Sequence, residues 1–172
     1  MAAPTEYPAR MVAPLIQVRP TKIADILYIC KYLRKADRAE ILANSGSTPL
    51  DSLTRALYKG LLCFTGFREG RPIAIFGTSA IVPDEDETNA WIFMVGTDEL
   101  TAHPKELMEM AKEWLPVLSL GADACMNYVD SRNTSHVRWL KRLGFELNEE
   151  EPVFLSDPKV PFFSFSKETS HV

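Results

Sequence analysis

Apolar residues recur every three or four positions in four segments of the chain, and this period predicts four helices. The predicted helices begin near Thr21 or Asp25, at Pro49, at Pro104 and near Thr134. Pro104 suits a first helical turn, because that position has no use for the N–H that proline lacks. We expect Pro116 to end or kink the third helix, because its ring clashes with the preceding turn.

Short apolar runs bounded by turn-forming residues predict seven strands. They cover residues 15–19, 61–67, 71–82, 90–95, 124–129, 151–155 and 161–166. The glycine-containing segment REGR joins the second strand to the third and predicts an antiparallel hairpin. The run AWIFMV at 90–95 is nearly all apolar, which is typical of a central strand buried on both faces.

The order of these elements predicts the fold class. One strand, two helices, a three-strand meander, a helix, a strand, a helix and two strands indicate an α/β (α+β) protein. We expect a mixed, mostly antiparallel twisted sheet with helices on both faces. Residues 15–168 form the predicted single domain, after an extended arm over 1–14 and before a short tail over 169–172.

Composition excludes several function classes. The net charge of −4 argues against a general nucleic-acid binder, which carries a basic excess. No apolar run approaches the length of a membrane-spanning helix, and the first residues lack the apolar core of a signal peptide. Three distant cysteines and three scattered histidines predict neither a disulfide framework nor a metal site.

The segment NTSHVRWLKRLGF at 133–145, in its late position among these elements, resembles the GCN5-related N-acetyltransferases. The resemblance implies their fold over most of 15–166 and acetyl-coenzyme A as the cofactor. Such enzymes hold the cofactor on a glycine-bearing loop after the fourth strand. If this chain is an active N-acetyltransferase, the cofactor-binding candidates are therefore Val95, Gly96, Thr97 and Asn133.

Three features of the sequence depart from that family pattern. After Gly96 no glycine occurs before Gly121, although backbone N–H groups must approach a pyrophosphate closely. A tyrosine often lies seven residues after the asparagine, but here that position is Leu140, which cannot donate a proton. The fourth strand carries no glutamate to act as a base. We therefore expect no catalytic residue and no bound cofactor.

Three segments resemble the internal virion protein A of short-tailed phages of the autographivirus type. They are VRPTKIAD (18–25), AWIFMVGTDEL (90–100) and NYVDSRNTSHVRWLKRLG (127–144). This resemblance implies a virion or assembly protein without catalysis, which contacts other virion proteins of the core, portal or tail. It also implies a location in the host cytoplasm during assembly and then in the virion.

A basic face on the last predicted helix is the candidate partner-binding surface. It consists of Arg132, Arg138, Lys141 and Arg142. The same residues also fit a solvated helix face whose cations favour the helix C-terminus. His136 in the first turn has no companion nucleophile or acid in sequence, so we expect a surface or capping residue.

Overall fold

In the computed structural model, which describes residues 15–169, seven strands form one sheet with helices on both faces. The strands are β1 (Gln17–Pro20), β2 (Leu62–Arg68), β3 (Arg71–Asp84), β4 (Glu87–Gly96), β5 (Ala124–Asp130), β6 (Glu146–Phe154) and β7 (Pro161–Glu168). The helices are α1 (Ile23–Tyr32), α2 (Lys35–Ser45), α3 (Pro49–Lys59), α4 (Glu99–Ala102), α5 (Pro104–Ser119) and α6 (Thr134–Arg142).

The sheet order is β1-β2-β3-β4-β5-β7-β6, and only β4 and β5 run parallel. The predicted α/β class with a mixed, mostly antiparallel sheet is confirmed. The hairpin between β2 and β3 is also confirmed, and both Glu69 and Gly70 in its turn have positive φ angles. The predicted arm at 1–14 lies outside the described residues, as do the last three residues of the predicted tail.

Alternation along the strands divides the core into two layers. On β3, Ala74 and Phe76 pack with α5 and α6, whereas Ile75 packs against α1 and α3. The first layer is the larger one and includes Met110 of α5 and Leu140 of α6. Apolar faces of helices thus cover each side of the sheet and remove its apolar side chains from water.

Four details of the sequence prediction are wrong. The chain breaks between α1 and α2 because Leu33 bridges Thr97 across the sheet, so a helix at 35–45 was missed. The short helix α4 was also missed. Helix α5 continues past Pro116 to Ser119, so of the two alternatives predicted at Pro116 the helix end is wrong. Strand β6 begins at Glu146, five residues before the predicted start, because it pairs with β7 from that point.

The end of α6 follows the predicted left-handed stop at Gly144. Its φ is +83°, its N–H donates to the Lys141 carbonyl, and the Phe145 N–H donates to the Leu140 carbonyl. This pair of hydrogen bonds is the Schellman arrangement. The Phe145 ring then packs on Phe165 with ring centres 5.3 Å apart. The turn therefore joins α6 to the core.

Replacing Gly144 by valine should destabilise the protein by about 1–2 kcal/mol, because a β-branched residue resists a positive φ. An added Cβ would meet no atom closer than 3.4 Å, so conformation and not crowding causes the loss. The denaturant midpoint measures it. Gly144→Asn is the matched control, since asparagine tolerates this region and should lose less. Equal midpoints for wild type and Gly144→Val would contradict the assignment.

Candidate functional site

A cleft opens where β4 and β5 separate. The two strands pair only from Asn89–Trp91 to Ala124–Met126 and then diverge. Beyond that point the Asn127 side-chain amide donates to the Ile92 carbonyl at 2.7 Å and closes the base of the gap. The parallel pair is therefore short, and the edge of β4 above it is exposed to the cleft.

The peptide groups of β4 that face the cleft are in part already bonded. The Thr97 N–H donates to the Ile73 carbonyl of β3. In an antiparallel pair, alternate residues point their peptide groups toward the neighbouring strand, so the N–H and C=O of Met94 and Gly96 point away from β3. At Gly96 the Asp37 carboxylate accepts the N–H at 2.9 Å, and the Arg34 N–H donates to the carbonyl at 3.0 Å. The start of α2 thus occupies the Gly96 end of this edge.

A buried polar cluster surrounds Asn133 at the mouth of the cleft. Its amide donates to the Glu40 carboxylate at 2.8 Å and lies 3.5 Å from the Asp37 carboxylate. Its carbonyl accepts from the Arg34 guanidinium at 3.2 Å, and this guanidinium also donates to the Ser135 hydroxyl. Asn133 therefore connects α2 to the start of α6 across the end of the sheet.

The cluster shifts the pKa of three groups. Loss of solvent raises the pKa of Glu40 to about 8, with the Asn133 hydrogen bond opposing the shift. Loss of solvent also raises the pKa of Asp37, although Arg34 and the Gly96 N–H work against it. His136 is half-buried, and desolvation together with the charge of Arg34 lowers its pKa to about 4. At neutral pH, Glu40 is mostly protonated and His136 is neutral.

Two cavities adjoin this cluster. The larger one, of about 440 Å³, has mainly apolar walls from β4, α5 and α6, and Glu40 and Asn127 are among its polar residues. A second, of about 310 Å³, lies between α4–α5 and α6. Both volumes fall in the range of small-molecule sites. We call the second cavity the α6 groove; Arg34, Met94, Leu107, Arg138, Trp139 and Arg142 are among its lining residues.

The segment after β4 lacks the features of a phosphate loop. Gly96 is needed for packing, because a Cβ there would lie 2.5 Å from the Ile73 carbonyl oxygen and 2.7 Å from Leu100. The helix α4 follows at once and places Leu100 in the core. The N–H groups of Leu100 and Thr101 already donate within this turn. The residues present therefore do not fit a pyrophosphate at this position.

The sequence places Asp98, Glu99 and Glu106 beside this segment, where their charges would oppose an anion, with Lys105 as the one offsetting cation. Arg71 lies 3.2 Å from Glu99, and Arg68 lies 3.0 Å from Glu106. Lys105 is therefore not the only cation that offsets them. Charge is therefore a weaker obstacle to an anion here, and the stronger one is a turn that has no glycine after Gly96 and whose Leu100 and Thr101 N–H groups are already bonded.

The four cofactor candidates lie at the end of β4 and at the start of α6, and the Asp37 carboxylate accepts from both Gly96 and Asn133. Asn133 lies at the centre of the polar cluster, and Val95 lines the larger cavity. Gly96 offers no free peptide group to the cleft, and Thr97 is buried with its N–H bonded to Ile73. The position that often holds a tyrosine, Leu140, is 2% exposed and packs in the core.

The basic face on α6 divides into paired and unpaired cations. Arg132 forms a bidentate pair with Asp130, and Lys141 pairs with Glu149. Arg138 and Arg142 are exposed, and no carboxylate within residues 15–169 pairs with either of them. The predicted four-residue surface therefore reduces to Arg138 and Arg142 as cations available to a partner.

Sequence reasoning missed three members of the polar cluster: Arg34, Asp37 and Glu40. Asp37 and Glu40 lie in the helix that was not predicted and Arg34 directly precedes it, and only their proximity to Asn133 in the fold reveals them. The prediction for His136 is also wrong. It is half-buried, lines both cavities and contacts the Trp139 ring at 5.6 Å. His136 is three residues before Trp139 on one helix face, and this spacing could have predicted the contact between the two rings.

Comparisons with known proteins find the fold but not a close relative. No protein-family model and no curated protein matches the sequence. An aminoglycoside N(6')-acetyltransferase from Legionella pneumophila superposes with a TM-score of 0.69 at 15% identity, covering 92% of this chain and 94% of that one. The spermidine N-acetyltransferase of Vibrio cholerae gives 0.61 at 14% identity, covering 91% and 96%.

The ribosomal-protein-S5-alanine acetyltransferase of Vibrio fischeri superposes with a TM-score of 0.58 at 17% identity, covering 91% of this chain and 94% of that one. The fold is that of the GCN5-related acetyltransferases. Identities this low establish the acetyltransferase fold alone. In the described part of the chain, no cluster of side chains could hold a metal ion, and no helix there is long and apolar enough to cross a bilayer.

The free energy of unfolding should fall as pH rises from 6.5 to 8. A carboxyl whose pKa is higher in the folded than in the unfolded state stabilises the folded protein while it is protonated. The pKa of Glu40 is 4.5 in the unfolded chain and about 8 in the folded one, so this stabilisation is lost as pH rises between the two values. His136 acts oppositely, because around and below pH 6.5 the unfolded state takes up a proton first, and this opposing slope fades above about pH 7.5. The slope from Glu40 cannot exceed about 1.4 kcal/mol per pH unit.

Denaturant titrations at pH 6.5, 7.2 and 8 measure this slope. Glu40→Gln is the control, because it keeps the shape and cannot ionise, and we expect a flatter profile in this window. Parallel profiles for wild type and Glu40→Gln would show that Glu40 titrates normally.

Proposed function

We propose that this protein is a catalytically inactive member of the acetyltransferase fold that acts through protein–protein contacts as a virion or assembly protein of a short-tailed phage. The observation that carries the absence of catalysis is the helical turn α4 directly after Gly96. Tight binding of the cofactor's pyrophosphate needs free backbone N–H groups at that place. The buried Leu140 adds a second argument, since no proton donor replaces the frequent tyrosine.

The phage assignment is supported by the three resembling segments named above. Two of them contribute to the polar cluster or the α6 groove: 90–100 supplies Met94 and Gly96, and 127–144 supplies Asn133 and Trp139. Other virion proteins of the core, portal or tail are then the partners, with the host cytoplasm and the virion as the locations. No metal and no nucleic acid enters this proposal.

Acetyl-coenzyme A should not bind measurably. A ligand at about 100 times its dissociation constant stabilises a protein by about 2.7 kcal/mol. For a chain of this length that corresponds to a rise in melting temperature of roughly 5–11 °C. Thermal shift with millimolar acetyl-coenzyme A, repeated by calorimetry, measures it, and an acetyltransferase of the same fold is the positive control. A saturable rise of several degrees would overturn the inactive assignment.

An active N-acetyltransferase is the second candidate, and one observation favours it. Glu40 is a carboxyl with a pKa near 8 beside a cavity of about 440 Å³, and general bases with pKa values near the working pH are typical of catalysis. Glu40 would then take the proton that an acceptor amine loses. Turnover of acetyl-coenzyme A with an amine panel, abolished by Glu40→Gln while the fold persists, would establish this candidate instead.

Complementation tests the virion role directly. A phage that lacks the gene should regain its infectious titre with the wild-type protein and equally with Glu40→Gln, because contacts and not cleft chemistry carry the function. Incorporation into purified particles, measured by immunoblot, should follow the titre. A drop in titre for folded Glu40→Gln would point to the cleft. Full infectivity without any copy of the gene would remove the virion role.

A further inference from the structure

The α6 groove combines an apolar floor with a cationic rim. Met94 of β4 and Leu107 of α5 line it together with Trp139. Arg138 and Arg142 are four residues apart, so they lie on one side of α6 along the groove. An apolar centre with a polar rim is the usual composition of a protein-binding patch.

The charges that line the groove do not cancel. Arg34, Arg138 and Arg142 are its arginines, and Asp37 is its only carboxylate. Asp37 is already engaged by Arg34 at 3.8 Å and by the Gly96 N–H. Among residues 15–169 the Arg138 guanidinium donates only to the Thr134 carbonyl, in the backbone of its own helix. The rim therefore presents two positive charges to whatever approaches.

A buried donor in the same place has no acceptor. The indole N–H of Trp139 is inaccessible to solvent, and nothing in the described residues accepts its hydrogen bond. A buried donor without a partner costs about 1–3 kcal/mol. The Trp139 ring lines both the α6 groove and the larger cavity. Because solvent does not reach this N–H, an oxygen of a groove occupant could accept its hydrogen bond only after the ring shifts.

We propose that the α6 groove is the docking site for an extended acidic segment of a partner protein, whose carboxylates pair with Arg138 and Arg142 and whose apolar side chain packs on Trp139. The charge complementarity selects an acidic segment over a basic or neutral one. The apolar floor distinguishes a polypeptide with an apolar anchor from a free anion. This inference rests on the proposed contact function and specifies the partner's chemistry.

The probe is a synthetic dodecapeptide of glutamates around a central tryptophan–leucine pair. We titrate it into the full-length nitrogen-15-labelled protein and follow the protein's three tryptophan indole signals, with Trp139→Phe to assign one of them. The Trp139 signal should shift saturably, while that of Trp91, which lines neither cavity, stays in place. Binding should weaken as salt screens the charges.

Reversing both rim cations, Arg138→Glu with Arg142→Glu, should weaken peptide binding at least about tenfold, since each exposed charge pair is lost and replaced by repulsion. The matched control, Lys112→Glu with Lys159→Glu, makes the same charge change at exposed sites outside the groove and should change binding less than about twofold. If the reversal unfolds the protein, Arg138→Gln with Arg142→Gln replaces it.

The outcomes separate this inference from the proposed function. Absence of saturable binding, or equal loss in the control variant, overturns the groove assignment, and the inactive assignment survives if acetyl-coenzyme A also fails to bind. Displacement of the peptide by acetyl-coenzyme A, lost in the arginine variants, overturns both proposals, because the groove would then be a cofactor site.

Discussion

The hydrogen bonds that join α2 to the end of β4 determine the shape of the whole site. Asp37 accepts the Gly96 N–H, and Arg34 donates its own N–H to the Gly96 carbonyl. The N–H and C=O groups at a buried strand edge need hydrogen-bond partners. Here the start of α2 provides these partners, in place of a neighbouring strand or a ligand. Because the N–H and the C=O of Gly96 are both bonded, the open edge of β4 in the cleft ends at Met94.

The same contact between α2 and β4 explains the raised pKa values of Asp37 and Glu40. Bringing α2 against the sheet carries Asp37 and Glu40 out of water, and burying charge is costly unless hydrogen bonds compensate. Arg34 and Asn133 provide those bonds. Glu40 receives a side-chain hydrogen bond only from Asn133, so its protonated form has the lower free energy in this position. A raised pKa here therefore follows from architecture and does not by itself require catalysis.

Most of the architecture could be predicted because it depends on local patterns. Alternation and apolar runs located five of the seven strands to within about two residues, and the left-handed stop at Gly144 followed from the sequence. The helix α2 was missed because its sequence, KADRAEILANS, has little apolar periodicity. Leu33 and Arg34 leave the helical conformation only to pair with β4, and such a long-range contact leaves no local signal.

The site was harder to predict for the same reason. Asn133 meets Arg34 and Glu40 across about a hundred residues of sequence, so only the fold brings them together. Their types, three charged or amide side chains in or just before a helix, look like ordinary surface residues. The helix at 134–142 was predictable, but which of its cations lack partners was not, since Glu149 of β6 takes Lys141 and Asp130 of β5 takes Arg132.

An open cleft between β4 and β5 is weak evidence for a ligand in this fold. The two strands diverge because β5 turns to pair along its whole length with β7, while β4 stays with β3. Apolar side chains of α5 and α6 line the resulting gap and belong to the main core, so folding alone maintains them. The discriminating groups are those that folding does not need. By that criterion the two arginines that no described carboxylate pairs, Arg138 and Arg142, say more about function than the larger cavity does.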